Sequence, residues 1–162
     1  MRSWSPPALL AESMNKGDFS LRPATVHDAP SIRSLIHRVQ INPWSLDWRR
    51  FLVAVDDGGR LIGCGQLKPH GPGVIELASI AVEQDYRDRG IARRIIDALI
   101  GLAPRPLYLT CRSSLGPMYA KWGFRAMSIA EMPGYYQRLA RVMSVVTGVA
   151  RMRDRLLVMV LQ

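Results

Sequence analysis

The side chains and amides best suited to chemistry lie between positions 74 and 96. Val74–Val82 is an apolar run, residues 83–89 are mostly charged, Gly90 stands alone, and Ile91, Ile95 and Ile96 open an amphipathic helix. A strand, a loop, a glycine and a helix in that order present free backbone N–H groups at a helix N-terminus, a ready site for an anion. Gly90 permits a backbone path and a close approach that a side chain would block. Ala92 keeps the first helical turn small, and Arg87 and Arg89 can add charge-assisted contacts. The expected chemistry is the grip of a phosphorylated ligand; a turn holding only water is the plainer alternative. Glu76 is the single acid in Val74–Val82, which makes it the local candidate for taking up a proton, directly or through water.

Other reactive residue types carry weaker signals. Cys64 and Cys111 sit in apolar runs, where buried thiols in a reducing, cytoplasmic compartment are expected rather than a disulfide framework. Cys111 has no histidine near it in sequence to activate it as a nucleophile. His27, His37 and His70 lack metal-ligand spacing, so no metal site is expected, and His70 is a remote alternative base. Gly63-Cys64-Gly65 lacks the third glycine of a dinucleotide fingerprint and precedes more strand, and no Walker-type loop is present.

The net charge of the 162 residues is +9 and is unevenly spread. Residues 1–83 carry 9 Lys and Arg against 8 Asp and Glu, or +1; residues 84–162 carry 13 against 5, or +8. That half attracts a polyanion such as a nucleotide, or an acidic surface, although a solvated arginine-rich face looks the same in sequence. Without interleaved aromatics or a reading motif, the basic residues argue against nucleic acid. No stretch is long and apolar enough to span a bilayer, and residues 1–17 are expected to be a disordered leader rather than a signal peptide.

The elements that must position these residues follow from periodicity. Asp18–Ala24 alternates as a first strand, and Thr25 three residues before Asp28 resembles a capping box. Ile32, Leu35, Ile36 and Val39 give the next helix its apolar stripe, and Asn42-Pro43 is expected to end it. Phe51–Val55, Leu61–Leu67 and Val74–Val82 form a meander through turns at Asp56-Asp57-Gly58-Gly59 and His70-Gly71-Pro72-Gly73. The third strand is so apolar that both of its faces are expected to be covered. A helix from Ile91 stops at Pro104, a strand follows over Pro106–Cys111, and a helix starts near Ser113 with Pro117 in its first turn and Gly123 at its C-cap. Residues 131–150 are ambiguous, with a helix around Tyr136–Val146, and Arg155–Leu161 closes the sheet. The order β-α-βββ-α-β-α-β predicts an α/β domain over residues 18–162, a mixed sheet covered by helices.

Arg87-Asp88-Arg89-Gly90-Ile91-Ala92 fits the Arg/Gln-x-x-Gly-x-Gly/Ala signature of the GNAT superfamily of N-acetyltransferases. Met118-Tyr119-Ala120-Lys121-Trp122-Gly123-Phe124 resembles that family's Phe-Tyr-x-Lys-x-Gly-Phe, and Leu21-Arg22-Pro23-Ala24-Thr25-x-x-Asp28 resembles its opening. The resemblance implies the acyl-CoA N-acyltransferase fold, a central mostly antiparallel sheet with helices on both faces. It further implies acetyl-CoA as donor, with the pyrophosphate on the amides of Arg87, Asp88, Arg89, Gly90, Ile91 and Ala92. In the family the strand before the loop splays from its neighbour, which assigns Ile80, Ala81 and Val82 as main-chain contacts of the pantetheine arm. The alternative for these three is a plain place in the core.

The resemblance also implies roles in acetyl transfer to a primary amine in a ternary complex. Tyr119 matches the tyrosine that protonates the leaving thiolate. Glu76, fourteen positions before Gly90, resembles the base of histone-acetylating members. A carboxylate that only orders substrate or pairs with an arginine, and a tyrosine half buried against the sheet, are the structural alternatives. Arg112 stands where many members carry an asparagine on the cofactor arm, and an arginine there can reach a phosphate instead. Trp44, Trp48, Tyr135 and Tyr136 fall in segments that line the acceptor pocket or plug the sheet ends. The acceptor is left open among a small molecule, a peptide N-terminus and a lysine. A homodimer through the apolar Leu156–Leu161 strand is left open too. The competing class is a non-catalytic GNAT-like module that senses acyl-CoA or binds through its basic surface.

Overall fold

The computed structural model describes residues 19–147 and 155–162; the leader expected over residues 1–17 lies outside the described residues. The first strand, β1 (Phe19–Pro23), runs into a turn built on one carboxylate. Asp28 accepts from the Thr25 N–H (2.7 Å) and hydroxyl (2.9 Å), and from both terminal nitrogens of Arg22 (2.7 and 2.9 Å). This box starts α1 (Ala29–Arg38), with Pro30 in the first turn, where its missing N–H costs nothing. The helix ends four residues before Asn42-Pro43. Gln40 takes a left-handed φ of 57°, Ile41 N–H reaches Ile36 C=O (3.2 Å), and Gln40 N–H reaches His37 C=O (3.1 Å). These two bonds are a Schellman closure, made here without the glycine that advertises one.

The meander is β2 (Phe51–Asp56), β3 (Leu61–Pro69) and β4 (Ile75–Val82). Next come α2 (Ile91–Leu102), β5 (Leu107–Arg112), α3 (Gly116–Ala120), β6 (Arg125–Ala126), α4 (Gly134–Thr147) and β7 (Leu156–Leu161). The strand order is β1-β2-β3-β4-β5-β7-β6, in which the β4–β5 pair is parallel and β1–β2, β2–β3, β5–β7 and β6–β7 are antiparallel. This is the mostly antiparallel mixed sheet that the sequence predicts.

Contacts group the described residues into two units, 19–68 with 77–103, and 69–76 with 104–162. In the first, alternation along β3 sends Cys64 to one face and Gly63 and Gly65 to the other. Cys64 packs with Ile32, Leu35 and Ile36 of α1 and with Phe51, Val53 and Ala81. A Cβ on Gly65 would lie 2.6 Å from Ile80, 2.8 Å from Ile95 and 3.0 Å from Leu99, so the glycine lets α2 seat closely on the opposite face. In the second unit, Val158 and Val160 of β7 pack with Tyr136 of α4. Leu157 and Leu161, on the alternate face, meet Gly116 at the start of α3 and Gly123 beyond its end. Each unit therefore has helices on both faces.

One expectation is corrected, and one strand edge is accounted for. β4 is not covered on both faces: Glu76, Leu77 and Ala81 are buried, but Ile75, Ala78–Ile80 and Val82 are half-exposed. Ser79 sits at φ 57° within the strand, a left-handed kink that breaks the regular alternation. β7 lies inside its sheet, with β5 along its whole length on one edge and β6 against Met159 and Val160 on the other. A dimer made by strand addition at those residues is blocked.

Candidate active site

In the first unit, Gln84–Tyr86 forms a single 3-10 turn that brings the chain to Gly90. Its anchor is the Tyr86 hydroxyl, which donates to Asp56 (3.0 Å); the same carboxylate accepts from the amides of Gly58 (3.0 Å) and Arg60 (2.9 Å). Arg89 folds back over the Tyr86 ring (5.0 Å to the centroid) and donates to Asp85 C=O (3.1 Å). Asp88 and Gly90 are both left-handed, at φ 62° and 77°. The first bond of α2 runs from Arg94 N–H to Gly90 C=O (3.0 Å), which leaves the amides of Ile91, Ala92 and Arg93 without an intrahelical acceptor. Residues 87–90 are exposed, Ile91 is buried and Ala92 is half-buried. The turn thus has the open amides and the missing side chain that an anion needs. Arg87 lies on the wall of a cleft of about 1010 Å³, which Ser31, Ser34 and Arg38 of α1 and Arg60 also line. Ala81 faces α1 in the core, and Ile80 packs toward α2.

In the second unit, the parallel register Glu76↔Tyr108 sets the Glu76 side chain on the Tyr108–Thr110 face of β5. There Thr110 Oγ1 donates to Glu76 Oε1 at 2.6 Å, and His70 Nε2 is hydrogen-bonded to Glu76 Oε2. The His70 and Glu76 side chains are only 7% and 8% exposed. Tyr135 stacks on the imidazole, 3.9 Å between centroids and 18° between planes, and Tyr136 meets its edge at 5.9 Å. Tyr136 is fully buried, and its hydroxyl has no hydrogen-bond partner among the described residues. Burial first, then the nearby Glu76, pushes the Tyr136 phenol well above its usual range.

Tyr119 is elsewhere. It lies on α3 against Trp122 and Phe124, and Cys111, which alternates to the other face of β5 from Thr110, is its titratable neighbour. The structure thus sets Glu76 and Tyr119 on opposite faces of β5. Burial, and secondarily Cys111, pushes the Tyr119 hydroxyl up to about 12, so it holds its proton at ordinary pH. Arg112 ends β5 exposed. Trp48 packs on the core of the first unit, whereas Trp44 is 76% exposed. Cys64 is buried, its thiol raised to about 12 by desolvation, which makes it inert. Among the described residues no cluster of three or more His, Cys, Asp or Glu is placed to hold a metal ion, and no helix is long and apolar enough to cross a membrane.

His70 and Thr110 are the residues that sequence reasoning undervalued. The signal was present: His70 N–H bonds Val74 C=O (2.9 Å) across the four-residue turn, and Glu76 follows Val74 by two on the same strand face. A hairpin diagonal of that kind brings long side chains together.

The model of the acetyltransferase (GNAT) family matches residues 19–124, about two thirds of the sequence. The chain belongs to this family. Among solved structures, the GNAT fold here resembles N-acetylglutamate synthase from Neisseria gonorrhoeae complexed with coenzyme A and N-acetyl-glutamate. That likeness has a TM-score of 0.70 and 23% identity, over 91% of this chain and 36% of that one, so this chain spans about a third of the synthase's length. Rv2747 from Mycobacterium tuberculosis, in a complex that includes CoA, gives 0.63 and 19%, over 88% and 99%. A GNAT acetyltransferase from Bacillus cereus gives 0.61 and 16%, over 90% and 98%. No curated protein matches the sequence.

Proposed function

We propose that this GNAT chain moves an acetyl group from acetyl-CoA to a primary amine by direct attack, with both substrates bound together. The observation that carries this reading is the turn at Gly90, with its left-handed glycine, its unpartnered amides at residues 91–93 and exposed Arg87 and Arg89 beside it. A pyrophosphate accepts from such amides and gains from the helix N-terminus. Coenzyme A in the synthase and Rv2747 complexes supports the same donor. In this reading Arg87, Asp88, Arg89, Gly90, Ile91 and Ala92 hold the diphosphate, the main chain of Ile80, Ala81 and Val82 pairs with the pantetheine arm, and Arg112 reaches a phosphate.

The chemistry needs a sink for the amine's proton and a source for the thiolate's. Glu76, bonded to His70 and Thr110, serves the first as the base itself or as the carboxylate that orders it. Tyr119, whose hydroxyl stays protonated, supplies the second. The acceptor is a small-molecule amine, a peptide N-terminus or a lysine.

Calorimetry with coenzyme A and acetyl-CoA tests the donor. Micromolar to sub-millimolar binding is expected, weakened at least about tenfold in Gly90→Val, where a branched side chain meets a φ it rarely adopts. No heat at millimolar coenzyme overturns the reading. Thiol release is then followed with amines from each acceptor class. Binding without release for any of them makes the chain an acyl-CoA-binding module instead of an enzyme.

A further inference from the structure

We infer that His70 is the catalytic residue that receives the amine's proton, at Nδ1, while Glu76 and Thr110 are positioning residues; this rests on the acetyl-transfer reading above. Both oxygens of Glu76 are already committed inside the protein, Oε1 to the Thr110 hydroxyl at 2.6 Å and Oε2 to His70 Nε2. Each oxygen keeps a further lone pair, but the carboxylate is already held by two protein donors and its charge is partly spent on them. The imidazole has a second nitrogen. With Nε2–H donated to a carboxylate, Nδ1 keeps its lone pair. No hydrogen bond among the described residues engages Nδ1. The ring cannot easily rotate away, because Tyr135 stacks flat on one face and Tyr136 closes its edge.

The groups facing the imidazole are Glu76 from β4, Tyr135 and Tyr136 from α4, and, one ring further, Tyr108 with Thr110 from β5. Glu76 is the one carboxylate among them, and none is a cation. An imidazolium formed here is therefore paired at once with a buried, hydrogen-bonded carboxylate. The step balances. The amine nitrogen forms its C–N bond to the acetyl carbon as the C–S bond breaks, and the proton leaving nitrogen goes to Nδ1. The departing thiolate takes a proton from Tyr119, and the imidazolium's proton returns through solvent to the tyrosinate. One proton has moved from nitrogen to sulfur.

The test uses the full chain with 15N-labelled histidine. Nitrogen NMR of the wild type with neutral imidazoles is expected to show His70 as the Nε2–H tautomer; a dominant Nδ1–H tautomer overturns the proposal, whatever the variants do. In kinetics, His70→Gln is expected to lose 100-fold or more in kcat with acetyl-CoA Kd within about twofold, and to lose the acid limb of the kcat/KM profile. Glu76→Gln is expected to keep that limb, because the base remains and only its carboxylate is gone. His70→Ala should regain rate with added imidazole. An active wild type with His70→Gln within threefold of it, or a limb that vanishes only in Glu76→Gln, overturns the proposal alone. A wild type that binds coenzyme but releases no thiol with any amine overturns the transfer reading and this proposal with it.

Discussion

Two residues show how the same carboxylate or hydroxyl chemistry is steered by its surroundings. Tyr119 is raised to about 12 by burial and then by Cys111, so it is a donor and not a base anywhere near neutrality. Tyr119→Phe removes only the hydroxyl and keeps the ring against Trp122 and Phe124. Its kcat is expected to fall by about 10²–10⁴, with the melting temperature and acetyl-CoA Kd nearly unchanged, as steady-state kinetics and calorimetry will show. Asp28 runs the other way. Its hydrogen bonds from Arg22, helped by Thr25, hold it at about 2 against an ordinary 3.8. The unfolded chain thus takes up the proton first as pH falls. The stabilisation is whole above pH 3.8 and drains away toward pH 2. Asp28→Asn is expected to cost about 1–3 kcal/mol at neutral pH in urea unfolding, and to flatten the acid slope between those two values. The Thr25–Asp28 spacing was legible in sequence; Arg22 as the second partner was not, because it comes from the preceding strand.

At the level of elements, the glycines on β3 decide how closely α2 can sit. A Cβ at Gly65 meets Ile80, Ile95 and Leu99 together at 2.6–3.0 Å, so no single side chain can yield enough. Gly65→Ala is expected to cost about 1–3 kcal/mol and to weaken coenzyme binding by displacing the start of α2. Gly101→Ala is the control of opposite sign: its Cβ meets nothing within 4 Å, and on this exposed helical position alanine should gain up to about 1 kcal/mol. Thermal melts of the two variants should move in opposite directions. Sequence patterning located these elements well, since β2 to β5 are short apolar runs bounded by turn residues and α2 follows a plain 3.6-residue pattern. It failed where a tertiary bond replaced a local cue. The stop of α1 at Gln40 carries no glycine, the kink at Ser79 has no turn residue, and α4 begins at Gly134, two residues before the Tyr136 start expected. The candidate site split the same way. The Gly90 turn is local in the chain and was readable. The grouping of Glu76 with Thr110, 34 residues away, depends on strand order, which periodicity does not report.

On the scale of the whole molecule, charge is the property that bears on the proposed coenzyme binding. Residues 84–162 hold 13 of the 22 Lys and Arg and only 5 of the 13 Asp and Glu. Coenzyme A brings a diphosphate and a further phosphate, so in the proposed reading its capture would draw on positive charge as well as on the fixed amides at the Gly90 turn. The two contributions respond differently to salt. The field is screened beyond about 10 Å at 0.1 M and about 3 Å at 1 M, whereas hydrogen bonds to amides act at contact. Raising NaCl from about 20 mM to 500 mM is therefore expected to weaken coenzyme A binding by about tenfold or more, chiefly through a slower on-rate. Acetyl-pantetheine, which has the thioester arm and no phosphate, should bind weakly with little response to salt. Stopped-flow measurement of both ligands separates the outcomes. If coenzyme A binding is flat in salt, the arginine-rich half is a solvated face and the Gly90 amides alone hold the donor. If acetyl-pantetheine matches coenzyme A in affinity, the phosphates contribute nothing and the Gly90 turn loses its role.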